Sequence, residues 1–100
     1  MKIKEMLSEC SGFEWDDGNS DKNLIAHGVS APECEEVFFN HPLPARKVEK
    51  HSKMEIRFYC LGHTDTGRLL FISFAIRSRN IRVISARDMN ECEERIYLSQ

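Results

Sequence analysis

The sequence predicts an α+β fold on three observations: helix-period segments, one with a capping box, take up most of the first 40 residues, three strand-like runs joined by short turns fill residues 55–87, and a capped helical segment follows. The chain has 100 residues, 41% hydrophobic and 30% charged. That composition suits one globular domain with a single modest core.

Each element has its own signal. Ile3, Met6, Leu7 and Cys10 stand at i, i+3, i+4 and i+7, an amphipathic helix over residues 1–11 closed by Gly12. Residues 1–12 therefore read as an N-terminal helical extension, and 13–100 as the domain proper. Phe13-Glu14-Trp15-Asp16 alternates apolar and acidic residues, the pattern of a short strand, and Asp17-Gly18-Asn19 is a turn. Ser20–His27 reads as a short helix stopped by Gly28. Ser30-Ala31-Pro32-Glu33 is a capping box with proline in the first turn, and Val29 and Cys34 stand at the positions of a hydrophobic staple. This helix should run from Ser30 to near Asn40, before Pro42. Pro42–Lys50 is an extended edge or loop, since Pro44 cannot donate to a central ladder. Glu55–Thr64, Arg68–Arg77 and Ile81–Arg87 are the strands. Asp88 or Asn90 caps a final helix with Met89, Cys92 and Ile96 as its apolar stripe.

The period-2 pattern also predicts register. With Asp65-Thr66-Gly67 as a three-residue loop, Thr64 pairs with Arg68 and Glu55 with Arg77. Ile56, Phe58 and Cys60 then share a face with Ile76, Phe74 and Ile72. With Arg79-Asn80 as the tip of the next turn, Ile76 pairs with Val83 and Arg77 with Arg82. The opposite face gathers Glu55, Arg57, Tyr59, Arg77 and Arg82 at one end, and Leu61 and Phe71 at the other, where the last helix can cover them.

Charge and cysteine usage narrow the function classes. The net charge is −2, yet Thr66 to Arg87 holds Arg68, Arg77, Arg79, Arg82 and Arg87 with no Asp, Glu or Lys. An all-arginine window favours planar, bidentate recognition of phosphate or carboxylate. Cys10, Cys34, Cys60 and Cys92 form no C-x-x-C pair and read as reduced core thiols; with His27, His41, His51 and His63 they lack the close ligand pairs of structural zinc sites. No metal or cofactor is expected. Leu69–Ile76, the longest apolar run, is far short of the roughly 20 residues that cross a bilayer. Acidic Glu5 and Glu9 interrupt the N-terminus before an export signal can form, so a cytoplasmic location is expected.

A carboxylate, two arginines and a tyrosine on one face, with His51 four residues before Glu55, supply what metal-free RNA cleavage needs. That chemistry requires a base for the 2′-hydroxyl, cations on the scissile phosphate and an acid for the departing 5′-oxygen. Glu55 or His51 can serve as base, and Arg77 and Arg82 as clamp. The alternative is a plain cross-strand ion pair between Glu55 and Arg77 on a solvated face. His27, at a helix end, suits interaction with the last carbonyls. Trp15 suits a core anchor better than a stacking platform, and Tyr97 either stacks on a base or closes the core.

Phe13-Glu14-Trp15-Asp16, Lys22-Asn23, His27-Gly28-Val29-Ser30, Glu36-Val37-Phe38, His51-Ser52-x-x-Glu55-x-Arg57, Gly67-Arg68-x-Leu70, Ile81 to Arg87 and Glu94-Arg95-x-x-Tyr97 together resemble the BrnT toxins of type II toxin-antitoxin systems. The resemblance implies a RelE-like fold, with two N-terminal helices packed on a small antiparallel sheet and a short C-terminal helix. It implies an RNA endonuclease that slows translation; beside the four candidate catalytic groups, Lys22, Arg57, Tyr59, Arg87 and Tyr97 are the candidate RNA contacts read from the residues themselves. It also implies a cognate ribbon-helix-helix antitoxin of the BrnA kind that masks the toxin and links it indirectly to operator DNA; no membrane partner is expected. Ala26, where the family often has lysine, and Glu91, Glu93 and Glu94, where basic residues are common, depart from the pattern. They leave an alternative: an attenuated homologue that acts as an antitoxin-binding co-repressor.

Overall fold

The computed structural model describes residues 3–20, 27–48 and 56–100. Its elements are α1 (Ile3–Ser8), β1 (Gly12–Phe13), α2 (Ala31–Phe39), β2 (Ala45–Lys47), β3 (Arg57–His63), β4 (Leu69–Arg77), β5 (Asn80–Asp88) and α3 (Glu91–Leu98). The five strands form one sheet in the order β1-β5-β4-β3-β2, antiparallel except for the parallel β1–β5 pair. One face of the sheet packs against α1 and α2, burying Phe58, Cys60, Leu70, Ile72, Phe74, Ile81 and Val83 with Cys34 and Val37. On the other face Leu61, Met89 and Tyr97 form a smaller cluster with Leu69 and Phe71. The last helix thus covers one end of that second face, as the strand pattern predicts.

The cap of α2 is the one its sequence prescribes. Glu33 N donates to Ser30 Oγ (3.3 Å), and Ser30 N donates back to Glu33 Oε1 (3.0 Å). Both backbone donors of the first turn are thereby satisfied. Val29 and Cys34 are fully buried beside it. The β3–β4 hairpin also has its expected register: Phe58 faces Phe74 and Cys60 faces Ile72, and Thr64 N donates to Arg68 O at 3.0 Å. Gly67, at φ +93°, supplies the left-handed residue of that loop.

Several expectations are corrected. The first helix ends at Ser8, and Gly12 opens β1 instead of closing the helix. Of the alternating segment, Phe13 pairs with Ile81 within β1, and Glu14 N donates to Ile81 O (2.9 Å). Asp16 leaves the ladder because its own Oδ1 accepts from Gly18 N (2.8 Å) in a side-chain turn. Buried Asn19 ties that turn to the sheet, donating to Glu14 O and Val83 O, each at 3.0 Å. The β4–β5 turn has Ser78-Arg79 as its tip, both with positive φ (49° and 67°), the signature of a type I′ hairpin. Asn80 therefore pairs with Arg77, Ile81 with Ile76, and Arg82 with Ala75. A bulge then shifts the register between Ser73 and Phe74, with Ile84 as the extra residue. Ile56 lies just before β3 and is 53% exposed. The inward stripe is Met89, just before α3, with Glu93 and Tyr97 within it, while Cys92 and Ile96 face solvent. Tyr97 has a larger apolar body to bury, and its hydroxyl finds partners inside. The Ser20–His27 helix falls mostly outside the described residues. Beyond it, Gly28 has φ +66° and its carbonyl accepts from Arg68 Nη1 at 2.9 Å; the helix carbonyls before His27 lie outside the described residues.

Candidate active site

The sheet face opposite α1 and α2 is organised in cross-strand rows, because directly opposed residues point to the same side. One row runs Arg57, Ala75, Arg82; the next Arg46, Tyr59, Ser73, Ser85; the third Leu61, Phe71, Arg87. Arg77 stands beyond the first row, opposite Asn80. The segment 49–55 joins β2 to β3, and its flanking residues are tied by Val48 N donating to Arg57 O at 2.8 Å.

Of the candidate catalytic groups, the structure brings Arg77 and Arg82 together, though not as directly opposed residues. Both reach Glu14 Oε1, Arg82 Nη1 at 2.9 Å and Arg77 Nη1 at 3.4 Å. Arg82 also holds Asp16 through Nη1 (3.0 Å) and Nη2 (3.2 Å). Its side chain is 17% exposed. The hydrogen bond from Arg82, helped by Gly18 N, holds the Asp16 carboxyl below its ordinary range, and Asp16 in turn raises Arg82. His51, Glu55 and Lys22 lie outside the described residues.

The other candidates divide. Arg57 is exposed, in the same row as Arg82. Tyr59 is half-buried, its ring stacked on Phe71 with centroids 5.5 Å apart. Arg87 lies 4.2 Å over the Phe71 ring and grips Glu93 with two bonds of 2.9 Å, which lowers the Glu93 carboxyl. Tyr97 closes the smaller core at 5% exposure. Its hydroxyl donates to Pro42 O and lies 2.7 Å from His63 Nδ1, and burial raises its pKa. A ring so placed presents no face to a base, so the core-closing alternative is the one realised.

Glu14, Asp16 and Arg46 were missed by pattern reading. The first two did carry a signal: acidic residues two apart around Trp15 lie on one side of an extended chain. Trp15 itself anchors that segment, donating from Nε1 to Glu35 Oε2 at 2.7 Å. What sequence could not supply was the partner, 66 or 68 residues away. The same holds for Arg68, which bridges Glu33 (3.1 Å) and Asp88 (2.8 Å).

A family model described as ribonuclease toxin, BrnT, of type II toxin-antitoxin system matches residues 15–93. Among solved structures, the 1.1 Å crystal structure of the Brucella abortus ribonuclease toxin BrnT is similar, with a TM-score of 0.58 at 20% identity over 80% of this chain and 97% of that one. No curated protein matches.

Proposed function

The chain belongs to the BrnT family, the ribonuclease toxins of type II toxin-antitoxin systems, and on that premise we propose that it cleaves RNA without a metal ion and thereby slows translation. The observation that carries this reading is the convergence of Arg77 and Arg82 on a single carboxylate oxygen of Glu14. Two guanidiniums that meet at one oxyanion are arranged as a scissile phosphate requires. In this reading Glu14 and Asp16 orient the forks between turnovers, and the phosphate exchanges with Glu14 on binding. His51 or Glu55, in the segment that leads into Arg57, takes the proton from the 2′-hydroxyl. The 2′-oxygen then forms a bond to phosphorus as the bond to the 5′-oxygen breaks, and a proton passes to that leaving oxygen. The products are a 2′,3′-cyclic phosphate and a 5′-hydroxyl. Lys22, Arg57, Tyr59 and Arg87 are the RNA contacts of this proposal, and Tyr97 is a core residue.

A type II toxin implies an antitoxin partner. We assign that role to a ribbon-helix-helix protein of the BrnA kind, which masks the toxin and through which the pair reaches operator DNA. Expressing the chain alone in a bacterial host should arrest growth and shorten transcripts, and co-expressing the antitoxin should reverse both. In vitro, cleavage should persist in EDTA and leave cyclic or 3′-phosphate ends. Normal growth with intact antitoxin binding would instead identify an attenuated co-repressor, and an absolute Mg²⁺ requirement would sink the mechanism.

A further inference from the structure

The arginines of the sheet face are unequally committed. Arg82 is held by Glu14 and Asp16, Arg87 by Glu93, and Arg77 touches Glu14. Arg46 and Arg57 differ: both are exposed, and among the described residues neither forms an ion pair. Among the described residues, the Arg46 guanidinium hydrogen-bonds only the carbonyl of Ala45, at 2.9 Å.

These two cations flank one aromatic ring. Arg46 is directly opposite Tyr59 on β2, and Arg57 is two residues along β3 on the same face. The Tyr59 ring packs by one side on Phe71, from the row beyond it, and is half-buried. Next across the sheet from Tyr59 are Ser73 and Ser85, facing each other and half-buried. Their side chains are small and stand between the Arg57–Arg82 row and the Phe71–Arg87 row.

We propose that Arg46, Arg57 and Tyr59 form a subsite for one unpaired nucleotide of single-stranded RNA, its base stacked on Tyr59 beside Ser73 and Ser85 and its flanking phosphates on the two arginines. This rests on the ribonuclease reading and extends it. Single-strand binders combine a cationic track with aromatic platforms, because every base has a π-face and every phosphate a charge. A base inside a duplex is already stacked on both faces and cannot reach the ring. Arg57 and Arg82 flank Ala75 in one row, so the subsite abuts the Arg77–Arg82 clamp. Arg46 thereby gains a function from the edge strand.

The test uses the full chain and a short, fully 2′-O-methylated RNA, which has no free 2′-hydroxyl to react, followed by fluorescence anisotropy as a single strand and as a duplex with its complement. The single strand should bind more tightly than the duplex. Tyr59→Leu, which keeps an apolar side chain on Phe71, should lose roughly fivefold or more in affinity, while Tyr59→Phe keeps it. Arg46→Ala should weaken binding to all sequences alike and reduce the slope of log K against log salt by about 0.7. Circular dichroism melts report that each variant is folded. If the parent cleaves RNA while Arg46→Ala and Tyr59→Leu bind as the parent does, the subsite is wrong and the ribonuclease reading stands. Loss of antitoxin binding in those variants, with RNA binding intact, assigns the face to the antitoxin and overturns the proposal. A parent that neither cleaves nor binds RNA overturns both.

Discussion

Glu14 Oε1 accepts from two arginines at once, 2.9 Å from Arg82 and 3.4 Å from Arg77, and Arg77 is the more exposed of the two. A half-exposed ion pair contributes little to stability, so Arg77→Ala should change it by about 0 to 1 kcal/mol. If the guanidinium stabilises charge on the phosphate, the same change should cost on the order of 10²-fold in cleavage rate. Arg77→Lys keeps the charge without the planar fork and should fail as well; single-turnover cleavage beside a urea melt separates the two effects. Asp16, Glu33, Asp88 and Glu93 are all held below their ordinary values, chiefly by Arg82 for Asp16, by Ser30 N–H for Glu33, by Arg68 for Asp88 and by Arg87 for Glu93. A carboxyl with a depressed folded pKa contributes stability that is complete above its unfolded value and is lost as pH falls through the folded one. Urea midpoints should therefore be flat near neutrality and fall with acid below about pH 4.5. Glu93→Gln should make that fall shallower. Burial pushes the Cys34 thiol up to about 12 and raises Cys60 as well, whereas Cys92 is exposed. Native alkylation followed by mass spectrometry should label Cys92 and spare Cys34 and Cys60 until the chain is unfolded.

At the scale of the elements, α2 approaches β3 closely at Gly62. A Cβ built there would lie 2.5 Å from Val37 Cγ1 and 3.2 Å from Leu43 Cδ1. Gly62→Ala should destabilise by roughly 1–3 kcal/mol, and Val37→Ala should be less harmful in that background than in the parent, a coupling that a double-mutant cycle of chemical melts reads directly. The two hairpins show what a pattern can and cannot specify. Register in β3–β4 is legible because Gly67 marks the loop and the apolar residues alternate without interruption. Between β4 and β5 the turn falls on Ser78-Arg79, residue types that seldom adopt positive φ, and the bulge at Ser73/Phe74 compensates part of the offset. Arg77 and Arg82 consequently meet through Glu14 instead of across the ladder. A Ser78→Asn, Arg79→Gly pair should relieve the left-handed strain and stabilise by about 1 kcal/mol, less the lost Arg79 bond to Glu9 O.

At the scale of the whole molecule, the sheet separates a large core under α1 and α2 from a second face that α3 covers at one end only. The rest of that face carries Arg46, Arg57, Arg77 and Arg82, on a chain whose net charge is −2. An antitoxin that neutralises by occlusion should meet those arginines with carboxylates, so the complex should dissociate faster as salt rises. A complex that leaves the face open to solvent and shows no salt dependence would place the antitoxin on α1 and α2 instead.

By itself the sequence determined the α+β class, the capped helix after Ser30, the β3–β4 register and the family resemblance. All of these rest on local periodicity, caps and turns, or on motifs contiguous in the chain. Tertiary structure decided which acid holds which arginine, that Tyr97 faces inward, and that Arg46 stands beside Tyr59. Glu14 and Arg82 are 68 residues apart, and Tyr97 and Pro42 are 55 apart. The strength of such contacts depends on distance and burial in three dimensions, and no periodicity along the chain encodes either.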